Sequence, residues 1–120
     1  MRNYPQEIEE QSLAVTRLTS ERDAAQEALA VSTDAIMRYV LTVLDPETGK
    51  PLYSNDKTRD LAVREKCRNS PDWTERDERL RLAELARAGS QARLERLRGE
   101  FSESKLARRE RIVNMEAAIN

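Results

Sequence analysis

Apolar residues recur along the first third of the chain at the spacing of a packed helix. Ile8, Val15, Leu29, Ile36 and Val43 fall on one position of a seven-residue repeat, interrupted by Arg22. Leu18, Ala25 and Tyr39 stand three residues further on. Two such sets line one side of a helix and form the seam of a coiled coil. The pattern predicts a first helix over residues 5–44, about 60 Å long at 1.5 Å per residue. Pro5 suits its first turn, where the missing N–H would have no intrahelical partner anyway. Residues 36–44 are apolar on nearly every side, so something must cover them from more than one direction.

Pro46, Gly49 and Pro51 then break the helical pattern and predict a turn. Ser54 or Asn55 is placed to cap a second, short helix over residues 56–68, with Leu61, Ala62 and Cys67 as its apolar contacts. A helix of that length is not stable alone, and the apolar end of the first helix is its expected support. Asn69, Ser70 and Pro71 make a second break. Ser70 or Asp72 is expected to cap a third helix over residues 72–118, with Glu75 completing a capping box from Asp72. Leu80, Leu94, Phe101 and Met115 share a heptad position in this helix, which also contains Arg87 and Arg108, and Leu97 adds to its apolar side. Trp73 is expected to anchor the turn by packing, or else to serve as a hot spot for a partner.

The elements predict an all-α fold, a single domain over residues 1–120. It is a long antiparallel helical hairpin with a short intervening helix. The expected core seam is Ile8, Val15, Leu18, Leu29, Ile36, Tyr39, Val43, Leu80, Leu94, Leu97 and Phe101. Matching the alanine-rich middle of the first helix to the small segment at residues 86–92 sets paired residue numbers to sum to about 116. Leu13, Val15 and Leu18 then meet Leu97, Phe101 and Leu106. Residues 36–44 meet residues 73–82, and Ile8 meets residues 108–112. A two-helix object has a stripe of core and no centre, so the chain is expected to self-associate, as a dimer forming a four-helix bundle.

Composition supports this picture. Charged residues are 36%, apolar residues 38% and aromatics 4% of the 120 residues, a mixture suited to long helices. The net charge is -1, too small to attract nucleic acid or an anionic membrane by a global field. Its distribution is uneven: nine acids outweigh Arg2, Arg17, Arg22 and Arg38 before Thr48, whereas residues 48–71 carry six basic and three acidic side chains. No apolar run is long enough to span a membrane, and no apolar signal core follows Met1, so the expected location is the cytoplasm.

Catalytic chemistry is hard to build from these residues. The chain has no histidine and one cysteine, which removes histidine-based nucleophile pairs and cysteine-based zinc sites. The glycines, at positions 49, 89 and 99, form no phosphate loop. A carboxylate metal site in a bundle usually includes a Glu-x-x-His motif, which is absent. The expectation is a protein without enzymatic activity and without a cofactor. Cys67, flanked by Lys66 and Arg68, reads as a small apolar side chain rather than a reactive thiol. Interleaved charges from Arg93 to Arg111 read as a salt-bridged helix surface.

One segment has a sharper alternative. Lys50, Tyr53, Lys57, Arg59, Arg64, Lys66 and Arg68 form a basic set with an aromatic residue, diluted by Asp56, Asp60 and Glu65. Such a set is suited to follow a phosphate backbone and stack a base. The run Thr48-Gly49-Lys50-Pro51-Leu52-Tyr53-Ser54-Asn55-Asp56-Lys57-Thr58-Arg59, between a helical N-terminal segment and a long charged helix, resembles small uncharacterised helical proteins of phages and bacterial mobile elements. That resemblance covers about 12 residues and the overall layout. It implies a bacterial or phage setting near DNA metabolism, and singles out Lys50, Asn55 and Arg59. The expected function is therefore a self-associating structural or interaction protein, with a possible protein partner. The alternative is an accessory protein that binds single-stranded nucleic acid through residues 50–68.

Overall fold

The computed structural model describes residues 2–119, and 86% of it is helical. Among the described residues there are three helices, α1 (Tyr4–Thr42), α2 (Asp56–Asn69) and α3 (Pro71–Ile119). The described residues form no strand beyond an isolated antiparallel bridge between Leu44 and Pro51. α1 packs against α3 as a hairpin, with α2 between them in sequence. No helix among the described residues is long and apolar enough to cross a membrane.

Each helix begins where the chain supplies a cap. Asn3 Oδ1 accepts from the Gln6 amide at 3.2 Å and opens α1. Asn55 caps α2 in a reciprocal box, its side chain accepting from the Thr58 amide at 2.9 Å while Thr58 Oγ1 accepts from the Asn55 amide. Ser70 caps α3, with Oγ accepting from the Trp73 amide at 3.2 Å, and Pro71 takes the first helical position. Asp72 is therefore not a cap, and Glu75 pairs instead with Arg79 one turn on, at 2.7 Å. α1 ends at Thr42 rather than Leu44 because the chain turns back on itself. The Leu52 amide donates to Val43 O at 3.0 Å, and Gly49, at φ +70°, closes the loop by donating to Asp45 O at 2.8 Å.

The chain divides into two compact units: Met1–Thr19 with Leu85–Asn120, and Ser20–Glu84. In the first unit Tyr4 stacks at a tilt on Phe101, with ring centroids 5.6 Å apart, and its hydroxyl donates to Glu100 at 3.4 Å. Further along, Gln11 Nε2 donates to the hydroxyl and the carbonyl of Ser90, and Arg87 Nε donates to Thr19 Oγ1 at 2.9 Å. Leu94 is 4% exposed and Ser90 is wholly buried.

In the second unit Arg76 Nη1 donates to Ala28 O at 2.7 Å, Ser32 Oγ to Asp72 at 3.1 Å and Trp73 Nε1 to Thr33 Oγ1 at 2.9 Å. Trp73, half-buried, thus ties the start of α3 to α1 through its indole N–H. α2 lies along the end of α1: Val40 is 2% exposed, and Met37, Val40 and Leu41 share a groove with Arg59, Asp60 and Val63.

These pairs correct the expected register. Tyr4 with Phe101, Gln11 with Ser90, Thr19 with Arg87 and Ser32 with Asp72 give sums of 101–106, about three helical turns away from 116. Ile8 accordingly does not meet residues 108–112, which are exposed, and neither does Leu106 meet the seam of α1. Residues 36–44 receive their cover from α2 rather than from residues 73–82. The seam itself is otherwise placed as expected. Ile8, Val15, Leu18, Leu29, Ile36, Val43, Leu80, Leu97 and Phe101 are half-buried and Leu94 is buried. Tyr39 is the exception: at 51% exposed it lies outside the seam, and Val40, one residue later, is buried instead.

The wholly buried Ser90 marks a place with no room for a larger side chain. Ser90→Leu should lower stability by about 1–3 kcal/mol through overpacking and loss of the Gln11 hydrogen bonds. Ser102→Leu, at an exposed position, should stay within about 0.5 kcal/mol. Urea unfolding of both variants at one protein concentration checks the difference.

Candidate functional site

The basic set of residues 50–68 is the candidate site carried from the sequence, and α2 supplies five of its seven members. A residue turns by about 100° on a helix, so Lys57, Arg64 and Arg68, at steps of seven and four, share one face. Arg59 and Lys66, at steps of two and nine from Lys57, stand on the opposite face. The structure follows this geometry. Arg59 is half-buried, donates to Tyr53 O at 3.2 Å and pairs with Asp56 at 3.2 Å. Lys66 is half-buried with Nζ 4.8 Å from the centre of the Tyr39 ring. Both cations are occupied in holding α2 and its preceding loop in place.

Lys57, Arg64 and Arg68 are exposed and join no ion pair among the described residues. Lys50 is exposed on the turn, where its carbonyl accepts from the Asp45 amide at 2.8 Å. Tyr53 is half-buried and lines an open groove together with Leu52, Leu61, Ala62, Glu65 and Lys66. This groove has a volume of about 710 Å³, and the charged residues in its lining are one acid and one base. The seven residues therefore divide between three surfaces and do not converge on one basic groove.

A second groove is lined by Cys67, Trp73, Arg64, Arg68, Asp77 and Arg81, among others. Arg81 is paired with Asp77 at 3.0 Å. Cys67 is free and buried, and burial pushes its thiol up from the ordinary value. The neighbouring cations do not activate it, and the sulfur serves as a small apolar contact. No group of three or more acidic or cysteine side chains among the described residues is placed to hold a metal ion.

Gln11, Ser32 and Ser90 are the residues that sequence reasoning passed over. Gln11 and Ser32 lie seven residues from Leu18 and Ala25, on the same heptad position. Ser90 lies three residues after Arg87, at the matching offset in α3. The repeat was sufficient to find them, and their polarity hid them.

The most conspicuous apolar surface lies elsewhere. Every residue from 102 to 119 is exposed although the segment is helical throughout. Ile112, Val113, Met115 and Ile119 are all in it, with Ile119 83% exposed. No protein-family model, no curated protein and no solved structure matches the chain.

The state of Cys67 has a measurable consequence. Its folded-state pKa is raised, so between the ordinary and the raised value the folded chain holds a proton that the unfolded chain has lost. Stability contributed by this group is complete below the ordinary thiol value and falls as pH rises through the window above it. A thiol reagent at neutral pH should label the folded chain slowly and the urea-unfolded chain at the rate of a free thiol. Equal labelling rates would place the sulfur at the surface.

Proposed function

We propose that the chain is a non-enzymatic helical interaction protein whose working form is self-associated. The observation that carries this reading is the imbalance between what one copy buries and what it leaves in water. The buried apolar residues of the described chain are Val40, Ala62, Cys67 and Leu94. Against these stand exposed side chains such as Leu13, Leu82, Leu85, Ile112 and Met115, the last 65% exposed. Single exposed apolar residues are normal, but rows of them along a helix signal an interface. A lone copy gains little from the hydrophobic effect relative to the entropy of ordering two long helices. Association supplies the missing burial, as it does for small or elongated folds in general. The phage or mobile-element setting implied by residues 48–59, and a place in the cytoplasm, belong to the same proposal.

A second reading, contact with single-stranded nucleic acid, is favoured by one observation: Lys57, Arg64 and Arg68 share an exposed face and have no carboxylate partner among the described residues. It is narrower than the seven-residue set, because Arg59 and Lys66 are engaged within the chain.

Light scattering at micromolar concentration is expected to return a mass near twice 13.8 kDa or a higher multiple, with a thermal midpoint that rises with protein concentration. A folded species of 13.8 kDa with a concentration-independent midpoint would remove the reading. Titration with single-stranded DNA decides the second one. Binding that weakens as salt rises and is lost in a Lys57→Ala, Arg64→Ala, Arg68→Ala variant supports it, and no binding at low salt ends it.

A further inference from the structure

The covered face of α3 does not stop where its cover stops. Leu94, Leu97 and Phe101 form the last part of α3 that packs under α1, and Lys105 closes it with Nζ 4.1 Å from the centre of the Phe101 ring. Eighteen residues are five full turns of an α-helix. Ile112, Met115 and Ile119 stand eighteen residues after Leu94, Leu97 and Phe101 in turn. The same apolar triplet therefore recurs on the same side of the same helix, about 27 Å further on. There it is bare, because α1 begins at its Asn3 cap against Phe101 and goes no further along α3. A helical segment without tertiary contact is marginal, since most helical stability in proteins comes from packing an apolar face.

We infer that this triplet is the self-association surface, and that its occupant is the same segment of a second copy, running antiparallel. The inference rests on the self-association proposed above and names where it happens. Three observations select this occupant. The stripe continues an interface already formed within the chain, so a helix of like character is what the face is shaped to take. Direction follows from α1, which occupies this side of α3 from Phe101 backwards. Two tails laid parallel on that side would drive each copy's α1 into the other's, whereas antiparallel tails set the two α1 helices at opposite ends.

Charge also fits. With Ile112 of each copy opposite Met115 of the other, Glu116 of each comes opposite Arg111 of the other, and Arg111 and Glu116 join no ion pair within the chain among the described residues. Arg108 then lies beside Ile119 of the second copy, where its aliphatic stem can cover the isoleucine. The contact is isologous and closes after two copies. It differs from the side-by-side four-helix bundle expected of the seam alone, because the three-turn change of register is what leaves this stretch of α3 beyond α1.

Cysteine cross-linking in the full chain tests this, with Cys67→Ala as background to keep a small apolar side chain at that buried site. Met115→Cys and Arg108→Cys lie seven residues apart on one side of α3 and are both exposed in a single copy. A short bis-maleimide should join the Met115→Cys copies covalently. It should leave the Arg108→Cys copies unjoined, since antiparallel pairing separates those two positions by about 16 Å along the axis. Ile112→Glu with Ile119→Glu should reduce the mass by half while helicity over α1 and α2 persists.

Cross-linking at both positions would mean parallel tails and overturn the inference, as would cross-linking at Arg108→Cys alone. A parent chain that is dimeric by light scattering but joins at neither position would place association on another surface. That result sinks the inference and leaves the proposed function standing. A parent chain that is monomeric throughout removes both.

Discussion

A buried hydroxyl or carboxamide without a partner costs about 1–3 kcal/mol, and that penalty determines how α1 and α3 meet. Ser90 has no exposed surface, and Gln11 reaches it from the other helix with two hydrogen bonds. Ser32 with Asp72, Thr33 with Trp73, and Ala28 O with Arg76 repeat the device in the other unit. Apolar contacts between helices are forgiving, because one leucine packs about as well on one neighbour as on the next. Polar pairs are not: sliding either helix by a turn would leave the buried hydroxyls of Ser90 and Ser32 without their partners across the interface. No buried side-chain nitrogen or oxygen among the described residues lacks a partner. The polar layers thus specify the register, and the apolar positions mainly supply adhesion, as a buried Asn does in a coiled coil.

Much of the fold was legible in the chain. The heptad spacing from Ile8 to Val43 located the seam, the Pro–Gly segments located both breaks, and the caps at Asn55 and Ser70 lay among the residues expected to provide them. What misled was the weighting. Size matching of alanine-rich segments treated the interface as an apolar surface and gave no weight to Gln11, Ser32 or Ser90, the residues that decide alignment. Tyr39 failed as a seam residue for a local reason: α2 approaches the end of α1 from another side, so burial passes to Val40 and Tyr39 becomes the platform for Lys66.

The candidate site was less legible than the fold because nearness in sequence is not nearness in space on a helix. Lys57, Arg59, Arg64, Lys66 and Arg68 read as one basic run, yet the helical turn divides them into two opposed groups. One group is tied down by Tyr53, Asp56 and Tyr39, and the other faces solvent. A helical-wheel projection contains that division. Which half is engaged within the chain depends on the fold-back of the loop that brings Tyr53 to Arg59, and that contact is not encoded in any local pattern.

An interface of half-buried apolar side chains with polar pairs set among them has a thermodynamic signature of its own. The heat capacity change of unfolding tracks newly wetted apolar area, with polar area acting in the opposite sense. A chain that fully buries few apolar side chains therefore has a shallow dependence of folding free energy on temperature. Its stability curve is broad, its cold limb lies far down, and its melting is gradual, whatever height the curve reaches.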